Sequence, residues 1–224
     1  MTQPITLTPT EARRIWLKAQ RLDLPAPFGS GPDATRAAVA HLGYVQIDTI
    51  NVIERCHHHI LWSRIPAYQR SDLRQAQSVD KSIFEYWTHA LSYVPTADLR
   101  FFLPAMKGYR DAPIPWFRTV VPTDVRRVVE TVRREGALSI RDFDADVRVA
   151  KAHLWSSTKP SKRALQMAFF TGELTVSART GMVKSYEVPD RHFGWAKPPC
   201  ARRGSSVSIR SAISMRRARR RSVA

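Results

Sequence analysis

The spacing of apolar and polar side chains in the first part of the chain predicts three helices and one short extended segment. Thr8, Pro9 and Glu11 form a capping-box pattern, which is typical of a helix that begins at the proline. Gly43 is typical of the residue that follows the end of a helix. The predicted elements are a helix over residues 9–20, a helix over 33–42, an extended segment over 44–47 and a helix over 51–63. Together they predict a compact helix-turn-helix-like unit within residues 1–66.

The rest of the chain shows aromatic, helical and strand-like patterns in turn. Residues 67–122 are rich in aromatic side chains and punctuated by proline, and we expect a helical connecting segment there. Valines at helical spacing then predict a helix that ends at Glu135-Gly136; they are Val125, Val128, Val129 and Val132. The next stretch predicts a helix over 160–171 and strands over 174–178 and 182–188, joined by a turn over 179–181. A helix followed by a β-hairpin is the winged-helix arrangement.

The predicted fold class is mainly α with small β-hairpins, organised as tandem winged-helix units. Helix-helix-strand phrases of this kind recur about three times along the chain. The expected divisions are a first unit over 1–66, the connecting segment over 67–122, second and third units over 123–193, and a basic tail over 194–224. A single irregular helical domain remains the alternative.

The chain carries a formal net charge of +17 over 224 residues, and this charge is unevenly distributed. Ten of its 36 lysines and arginines, and none of its 19 acidic residues, lie between Arg191 and Ala224. Excess positive charge favours a polyanion such as DNA, because neutralised phosphates release condensed counterions, although it also serves solubility alone. The tail has no periodic apolar face and is expected to be disordered. It is either a phosphate-binding arm or the end of a chain that has lost its original C-terminus.

The composition and the cysteine content indicate the kind of protein and the compartment in which it folds. Hydrophobic residues make up 43% and charged residues 25%, which fits a globular core. No apolar run reaches the roughly 18 residues that span a bilayer, and the N-terminal residues lack an export signal, so no membrane partner is expected. Cys56 and Cys200 cannot make a disulfide framework, which fits a reducing bacterial cytoplasm.

The run Cys56-His57-His58-His59 raises the question of a metal site. Successive helical residues point about 100° apart, so the three histidines cannot converge on one ion. Cys56 and His59 would supply only two ligands, whereas zinc needs three or four, so no metal is expected. The predicted core face carries Val52, Ile53, Cys56 and Ile60, and the predicted exposed face carries Arg55, His58, His59 and Trp62. That exposed face either binds phosphates and bases or is simply solvated.

Gln46 and Asp48 stand two residues apart in the predicted extended segment. Side chains at i and i+2 project to the same side of a strand, so both would face one cleft. Asp48 comes just before the predicted third helix, whose positive N-terminal end would stabilise an ionised carboxylate. Taken alone, Asp48 is more typical of a helix cap or a turn.

The phrases "LGYVQIDTINVIERCHHHILWSRI" and "FEYWTHALSYVP" resemble the winged-helix DNA glycosylases of the AlkZ/YcaQ type. The later phrases "VRREGALSIRDFD" and "KPSKRALQMAFFTGELTVSARTGMVKSYEVPDR" are similar to family segments in the same order, so the resemblance covers roughly residues 5–193. It implies that Gln46-Ile47-Asp48 corresponds to the catalytic Gln-x-Gln or Gln-x-Asp motif, in its aspartate form. Family members are longer and have further C-terminal structure, so the resemblance also implies a truncated chain, either active or inactive.

The resemblance implies a monofunctional DNA glycosylase that excises N7-alkylated purines and unhooks interstrand crosslinks by hydrolysing the N-glycosidic bond. Asp48 would stabilise the cationic sugar and activate a water molecule, which Gln46 would hold, and no cofactor would be needed. The expected partner is double-stranded DNA with alkylated or crosslinked bases, bound by a monomer. A winged-helix DNA-binding protein without catalysis, such as a regulator, remains the alternative.

Further basic and aromatic residues make up the rest of the expected DNA interface. Ordinary surface charge is the alternative interpretation for all of them. The predicted contacts are Arg55, His58, His59 and Arg64 around the third predicted helix, Lys159, Lys162 and Arg163 at the start of the helix over 160–171, and Arg179, Lys184 and Tyr186 on its wing. The aromatic stretch around Glu85 and His89 is explained better by packing, and a hydrogen bond from His89 would orient the site from behind.

Overall fold

The computed structural model describes residues 5–143 and 159–195. Its helices are α1 (Pro9–Ala19), α2 (Gly31–Leu42), α3 (Cys56–Trp62), α4 (Arg70–Arg74), α5 (Leu103–Asp111), α6 (Pro122–Glu135), α7 (Ile140–Phe143), α8 (Pro160–Phe170) and α9 (Pro189–Phe193). Its strands are β1 (Val45–Gln46), β2 (Ile83–Trp87), β3 (Leu91–Pro95), β4 (Leu138–Ser139), β5 (Thr175–Thr180) and β6 (Val183–Glu187). A π-helical segment (Gln75–Val79) continues α4, and 3-10 helices cover Thr96–Phe101 and Pro115–Phe117. The described helices include none that is long and apolar enough to cross a bilayer.

The strands form two small antiparallel sheets with the same arrangement. The strand order is β1-β3-β2 in the first sheet and β4-β6-β5 in the second. In each case a helix, a short strand and two helices precede the hairpin: α2, β1, α3 and α4 come before β2 and β3, while α6, β4, α7 and α8 come before β5 and β6. This mainly helical fold with small β-hairpins agrees with the predicted class. Within the described residues the arrangement occurs twice, whereas the sequence suggested about three recurrences.

The first of these units extends to Pro95 and not to residue 66. Val45 of β1 pairs with Tyr93 of β3, and β3 pairs along its whole length with β2. The segment expected to be a helical connection therefore contains a β-hairpin. The reason is the aromatic and β-branched content of β2, which favours a pleated surface that is buried on both sides.

Several helix ends follow local signals in the sequence. Thr8 and Glu11 make the reciprocal hydrogen bonds of a capping box at the start of α1. Helix α2 ends at Gly43, whose φ of 86° is accessible to glycine at little cost. Helix α6 ends at Glu135, and the four valines of its apolar stripe are buried. These predictions are confirmed.

The third predicted helix is shorter than expected, because α3 begins at Cys56 and not at Asn51. The carboxylate of Asp48 accepts a hydrogen bond from the backbone N–H of Ile50 at 2.9 Å. Such local side-chain bonds compete with helical backbone bonds. Residues 51–55 consequently form a loop that leads into α3.

The later start of α3 corrects the two predicted helix faces. Val52 and Ile53, which were expected in the core, are among the most exposed large apolar residues of the described chain. His57 and His58 are buried, although His58 was expected on the surface. The error came from applying one helical period to a segment that is partly loop.

Buried apolar residues form two clusters. The first cluster lies within the first unit and includes Ala38, Val39, Leu61, Ile65, Ile83 and Tyr93. The second cluster combines residues of both units and includes Phe84, Tyr86, Val94, Val128, Leu165 and Val176. Because side chains alternate along a strand, β2 contributes Ile83 to the first cluster and Phe84 to the second. The two units are thus packed together through a shared interior.

The expected basic tail lies outside the described residues from residue 196 onward, as does the expected start of a third unit near residue 154.

Candidate active site

Gln46 and Asp48 lie on either side of the buried Ile47, where β1 ends. Ile47 continues the ladder by donating its backbone N–H to the carbonyl oxygen of Leu91 at 2.8 Å. Since neighbouring side chains of an extended segment point to opposite sides, Gln46 and Asp48 share the side away from Ile47. Both are half-buried, so one polar edge of each remains accessible to solvent. The common cleft expected from the sequence stays a prediction.

The carboxylate of Asp48 is oriented by the loop that follows it. Its Oδ1 atom accepts the backbone N–H of Ile50, and within the described chain no donor bonds to Oδ2. Because α3 begins only at Cys56, the expectation that a helix N-terminus stabilises this carboxylate is wrong. One oxygen is fixed by the backbone, and the other is available to a water molecule or a substrate.

The side-chain amide of Gln46 is oriented by His89. The Nε2–H of His89 donates to Oε1 of Gln46 at 3.1 Å, so the hydrogen bond expected from the sequence is present. The imidazole ring is itself placed edge-on against Tyr44, with 5.3 Å between ring centroids. With its carbonyl oxygen occupied, Gln46 presents its NH2 group, which makes no hydrogen bond within the described residues. The NH2 group is therefore available as a donor towards a bound molecule.

Cys56 lies close to the backbone of this pair. Its Sγ atom is 3.5 Å from the backbone oxygen of Gln46. Burial, and then the nearby charge of Asp48, raise the pKa of the thiol. In the described part of the chain, no three His, Cys, Asp or Glu side chains come together in a way that could hold a metal ion.

His57 and His58 are part of the interior. Nδ1 of His58 is 2.7 Å from the hydroxyl of the buried Tyr68. The ring centroid of His57 lies 4.2 Å from that of His58 and 5.8 Å from that of Tyr93. Burial lowers the pKa of His57 from 6.5 to about 3, and burial also lowers the pKa of His58. Neutral buried rings are poor phosphate ligands, so the position of His58 argues against its predicted DNA contact.

The remaining residues of the predicted exposed face have different positions. His59 and Trp62 are exposed on α3, as expected for residues that contact DNA. Arg55 is half-buried just before the helix, and its Nε atom is buried without a hydrogen bond. Of the predicted set, His59 and Trp62 are therefore the residues that α3 presents to solvent.

Arg64 was also expected to contact DNA, but it is buried and connects two helices. Its Nε donates to the backbone oxygen of Gln20 at 3.0 Å, and its Nη1 donates to that of Ile60 at 2.9 Å. Helix α1 itself has no buried residue. The guanidinium thus holds the end of a weakly packed helix, together with His41, whose Nε2 is 2.9 Å from the backbone oxygen of Ala19. This position corrects the predicted role.

Arg179 forms a bidentate ion pair with Glu85 between the two units. Nε and Nη2 of Arg179 are 2.5 and 2.7 Å from the two carboxylate oxygens of Glu85, and the side chains expose only 9% and 0% of their surface. Gln77 donates a further hydrogen bond to Glu85 at 2.9 Å. The predicted turn over 179–181 is also shorter, since β5 continues to Thr180. A guanidinium that is used in this way is not available to a phosphate, which corrects its predicted role.

The other two predicted wing residues also point inward. The ammonium of Lys184 lies 4.9 Å from the ring centroid of Phe169, and burial lowers its pKa to about 8. Tyr186 is buried in the second cluster. Their positions favour packing between α8 and the second sheet over direct contact with DNA.

The start of α8 matches the expected phosphate-binding region best. Lys162 is fully on the surface, and Lys159 is half-buried. Arg163 donates to the hydroxyl of Thr119 at 2.6 Å and to the backbone oxygen of Trp116. Lys162 is therefore the basic side chain of this set that α8 leaves exposed.

Comparison with known protein families identifies the family of the chain. The family model described as DNA glycosylase AlkZ-like matches residues 39–224, which include both Gln46 and Asp48. No solved structure matches the chain. The chain therefore belongs to the AlkZ-like DNA glycosylase family.

Proposed function

We propose that this protein hydrolyses the N-glycosidic bond of N7-alkylated purines in double-stranded DNA and unhooks interstrand crosslinks, as a monofunctional glycosylase that acts as a monomer. The observation that carries the proposal is the pair formed by Gln46 and Asp48 at the end of β1, in a chain that belongs to a DNA glycosylase family. One oxygen of Asp48 and the NH2 group of Gln46 remain available on the same side of the segment.

The chemistry of an N7-alkylated purine suits these two side chains. Such a base already carries a positive charge and leaves with its bonding electron pair, so it needs little help from a general acid. Positive charge develops on the sugar as the bond breaks, and the carboxylate of Asp48 stabilises it. Asp48 then accepts a proton from the water that forms the new bond to the anomeric carbon.

The orientation of the Gln46 amide supports a defined position for that water. His89 fixes the orientation of the amide through its carbonyl oxygen, and the NH2 group then donates to the oxygen of the water. This leaves one lone pair of the water free to attack the sugar and one O–H free to bond to Asp48. His89 is a positioning residue in this scheme, since it acts through Gln46.

We further propose that the two repeated units are winged helices. In each unit a helix, a short strand and two helices precede a hairpin. The short strand pairs with the second strand of that hairpin. In a helix-turn-helix unit the second helix of the turn enters the major groove, and α8 holds this place in the second unit. The exposed Lys162 near its N-terminus would then bind a phosphate.

The proposal is tested by measuring the release of free N7-methylguanine from an alkylated duplex by the purified protein. We expect Asp48→Asn to lower the excision rate by about 10²- to 10⁴-fold, since it removes both the charge and the base, while the affinity for DNA stays nearly the same. Gln46→Ala should slow excision less severely. Undiminished excision by Asp48→Asn would remove Asp48 from the mechanism. A wild-type protein that binds duplex DNA and releases no base would instead be a DNA-binding protein without catalysis.

A further inference from the structure

The loop between β1 and α3 leaves three large apolar side chains in solvent. Ile50, Val52 and Ile53 expose 68%, 90% and 88% of their surface. Apolar side chains so close together are normally buried, and contiguous exposed ones mark an interaction site. By contrast, Leu61 of α3 and Ile47, the residue that precedes the loop, are buried.

Both ends of this loop are fixed, although its tip is not covered. At the first end, Asp48 accepts the backbone N–H of Ile50. At the other end, Glu54 accepts the backbone N–H of Arg55 at 2.8 Å and forms an ion pair with Arg70. The apolar tip is therefore held at a defined place next to the candidate catalytic carboxylate.

The distance along the chain limits what the tip can contact when Asp48 reaches a nucleotide. Ile50 is two residues from Asp48, so their Cα atoms are at most about 7 Å apart, which corresponds to about two base steps. Charged phosphates offer nothing to isoleucine or valine, whereas the apolar faces of stacked bases do. Apolar wedges of this kind enter base steps and unstack them in other DNA-bending proteins. The net charge of +17 supports the approach to the same polyanion.

We propose that Ile50, Val52 and Ile53 form an apolar wedge that enters the base stack of duplex DNA beside the damaged nucleotide. By unstacking that step, the wedge gives Asp48 access to the sugar. This inference rests on the proposed function, since it assigns the loop to the substrate of the same site.

The test replaces Val52 and Ile53 together by threonine, which keeps the β-branched shape and removes the apolar character. A matched control replaces Val79 and Val121 by threonine, because these valines are also exposed, at 62% and 51%, but lie in other parts of the chain. Each protein is assayed for excision of N7-methylguanine from double-stranded and from single-stranded oligonucleotides. A separate binding measurement follows the fluorescence of 2-aminopurine placed next to the lesion, which rises when the base is unstacked.

For the wedge variant we expect a loss of duplex excision of about tenfold or more, an unchanged rate on single strands, and no rise in 2-aminopurine fluorescence. The control variant should behave like the wild type in all three measurements. Because the fluorescence does not depend on bond cleavage, a wild-type protein that raises it without releasing base would refute the proposed function and leave the wedge supported.

Three other outcomes would overturn the wedge. The first is duplex excision and 2-aminopurine fluorescence that both stay at the wild-type level. The second is an equal loss on single and double strands, which would assign the loop to the structure of the active site. The third is a lower melting temperature or a change in molecular mass in the variant, which would show that the tip packs against another segment or a second copy of the chain.

Discussion

Replacing Arg179 by methionine tests whether this residue belongs to the protein interior or to the DNA-binding surface. Methionine retains most of the side-chain volume but removes the guanidinium that holds both oxygens of Glu85. In the variant the carboxylate of Glu85 would stay fully buried, with Gln77 as its remaining hydrogen-bond donor among the described residues.

The expected loss of stability is large. Removing one partner of a buried ion pair costs about 3–5 kcal/mol, because the charge that is left has lost its partner and cannot regain its hydration. Each kcal/mol lowers the melting temperature by about 2–4 °C in a chain of this length, so the melting temperature should fall by about 6–20 °C. Replacing Glu85 by methionine as well removes the uncompensated charge, and this double variant should recover most of the loss.

The assay combines thermal unfolding, followed by circular dichroism, with the salt dependence of DNA binding. Lys162→Met is the matched control, because Lys162 is a cation of the same unit that lies on the surface. Its melting temperature should be within about 2 °C of the wild type, while the slope of log affinity against log salt should decrease by about one unit. If Arg179→Met instead keeps its melting temperature and loses one unit of salt slope, Arg179 is a phosphate contact and the reasoning from burial is refuted.

Three further predictions concern residues around the candidate site. His89→Phe should lower excision by about 10- to 100-fold through the loss of Gln46 orientation, and His89→Asn, which still donates a hydrogen bond, should restore part of the rate with an unchanged affinity for DNA. Unfolded His57 binds a proton below pH 6.5 but the folded residue does so only near pH 3, so stability should decrease as the pH falls through this window. In urea titrations at about pH 5, His57→Phe should therefore lose less stability than the wild type, by about 2 kcal/mol. Arg64→Ala should release the end of α1 at Gln20, seen as faster amide exchange in α1 with no change in the salt slope of DNA binding.

Features that depend on a few neighbouring residues could be predicted from the sequence. The capping box of Thr8 and Glu11 and the glycine after α2 act within one helical turn, so their outcome does not depend on the rest of the fold. The prediction that Gln46 and Asp48 share one side rests on a rule of the same kind, because alternation along an extended segment is a local property. A hydrogen bond from His89 that orients the site was also expected, but its partner, Gln46, was not specified by the sequence.

The start of α3 was mispredicted because the pattern of apolar residues continued across a loop. Ile50, Val52 and Ile53 fit a helical period with the residues of α3, yet the bond from Ile50 to Asp48 directs the backbone elsewhere. A segment that breaks the rule of burying its apolar residues is often a functional one. The signal that was available in the sequence is the aspartate directly before the apolar run, since aspartate favours a turn of this kind.

The ion pair of Glu85 and Arg179 could not be predicted because its members are 94 residues apart. No local rule specifies such a partner. The sequence did indicate that this glutamate needs a partner. It stands in the middle of the strand-like apolar run "IFEYW", where burying a lone carboxylate is costly. Interpreting Arg179 as a surface cation on a wing therefore placed it on the wrong side of the strand.

Strand β2 contributes side chains to both buried clusters, so the two units depend on each other for their stability. A fragment that ended after β3 would leave the rings of Phe84 and Tyr86 in water, and a fragment that began at α6 would leave Arg179 without its counter-ion. Neither half is then a self-sufficient module, and the whole protein should melt in a single transition. Since the described parts of the two units share one interior, we expect the protein to meet the double helix as one stiff body. The DNA would then supply the bending that brings a damaged nucleotide to Asp48.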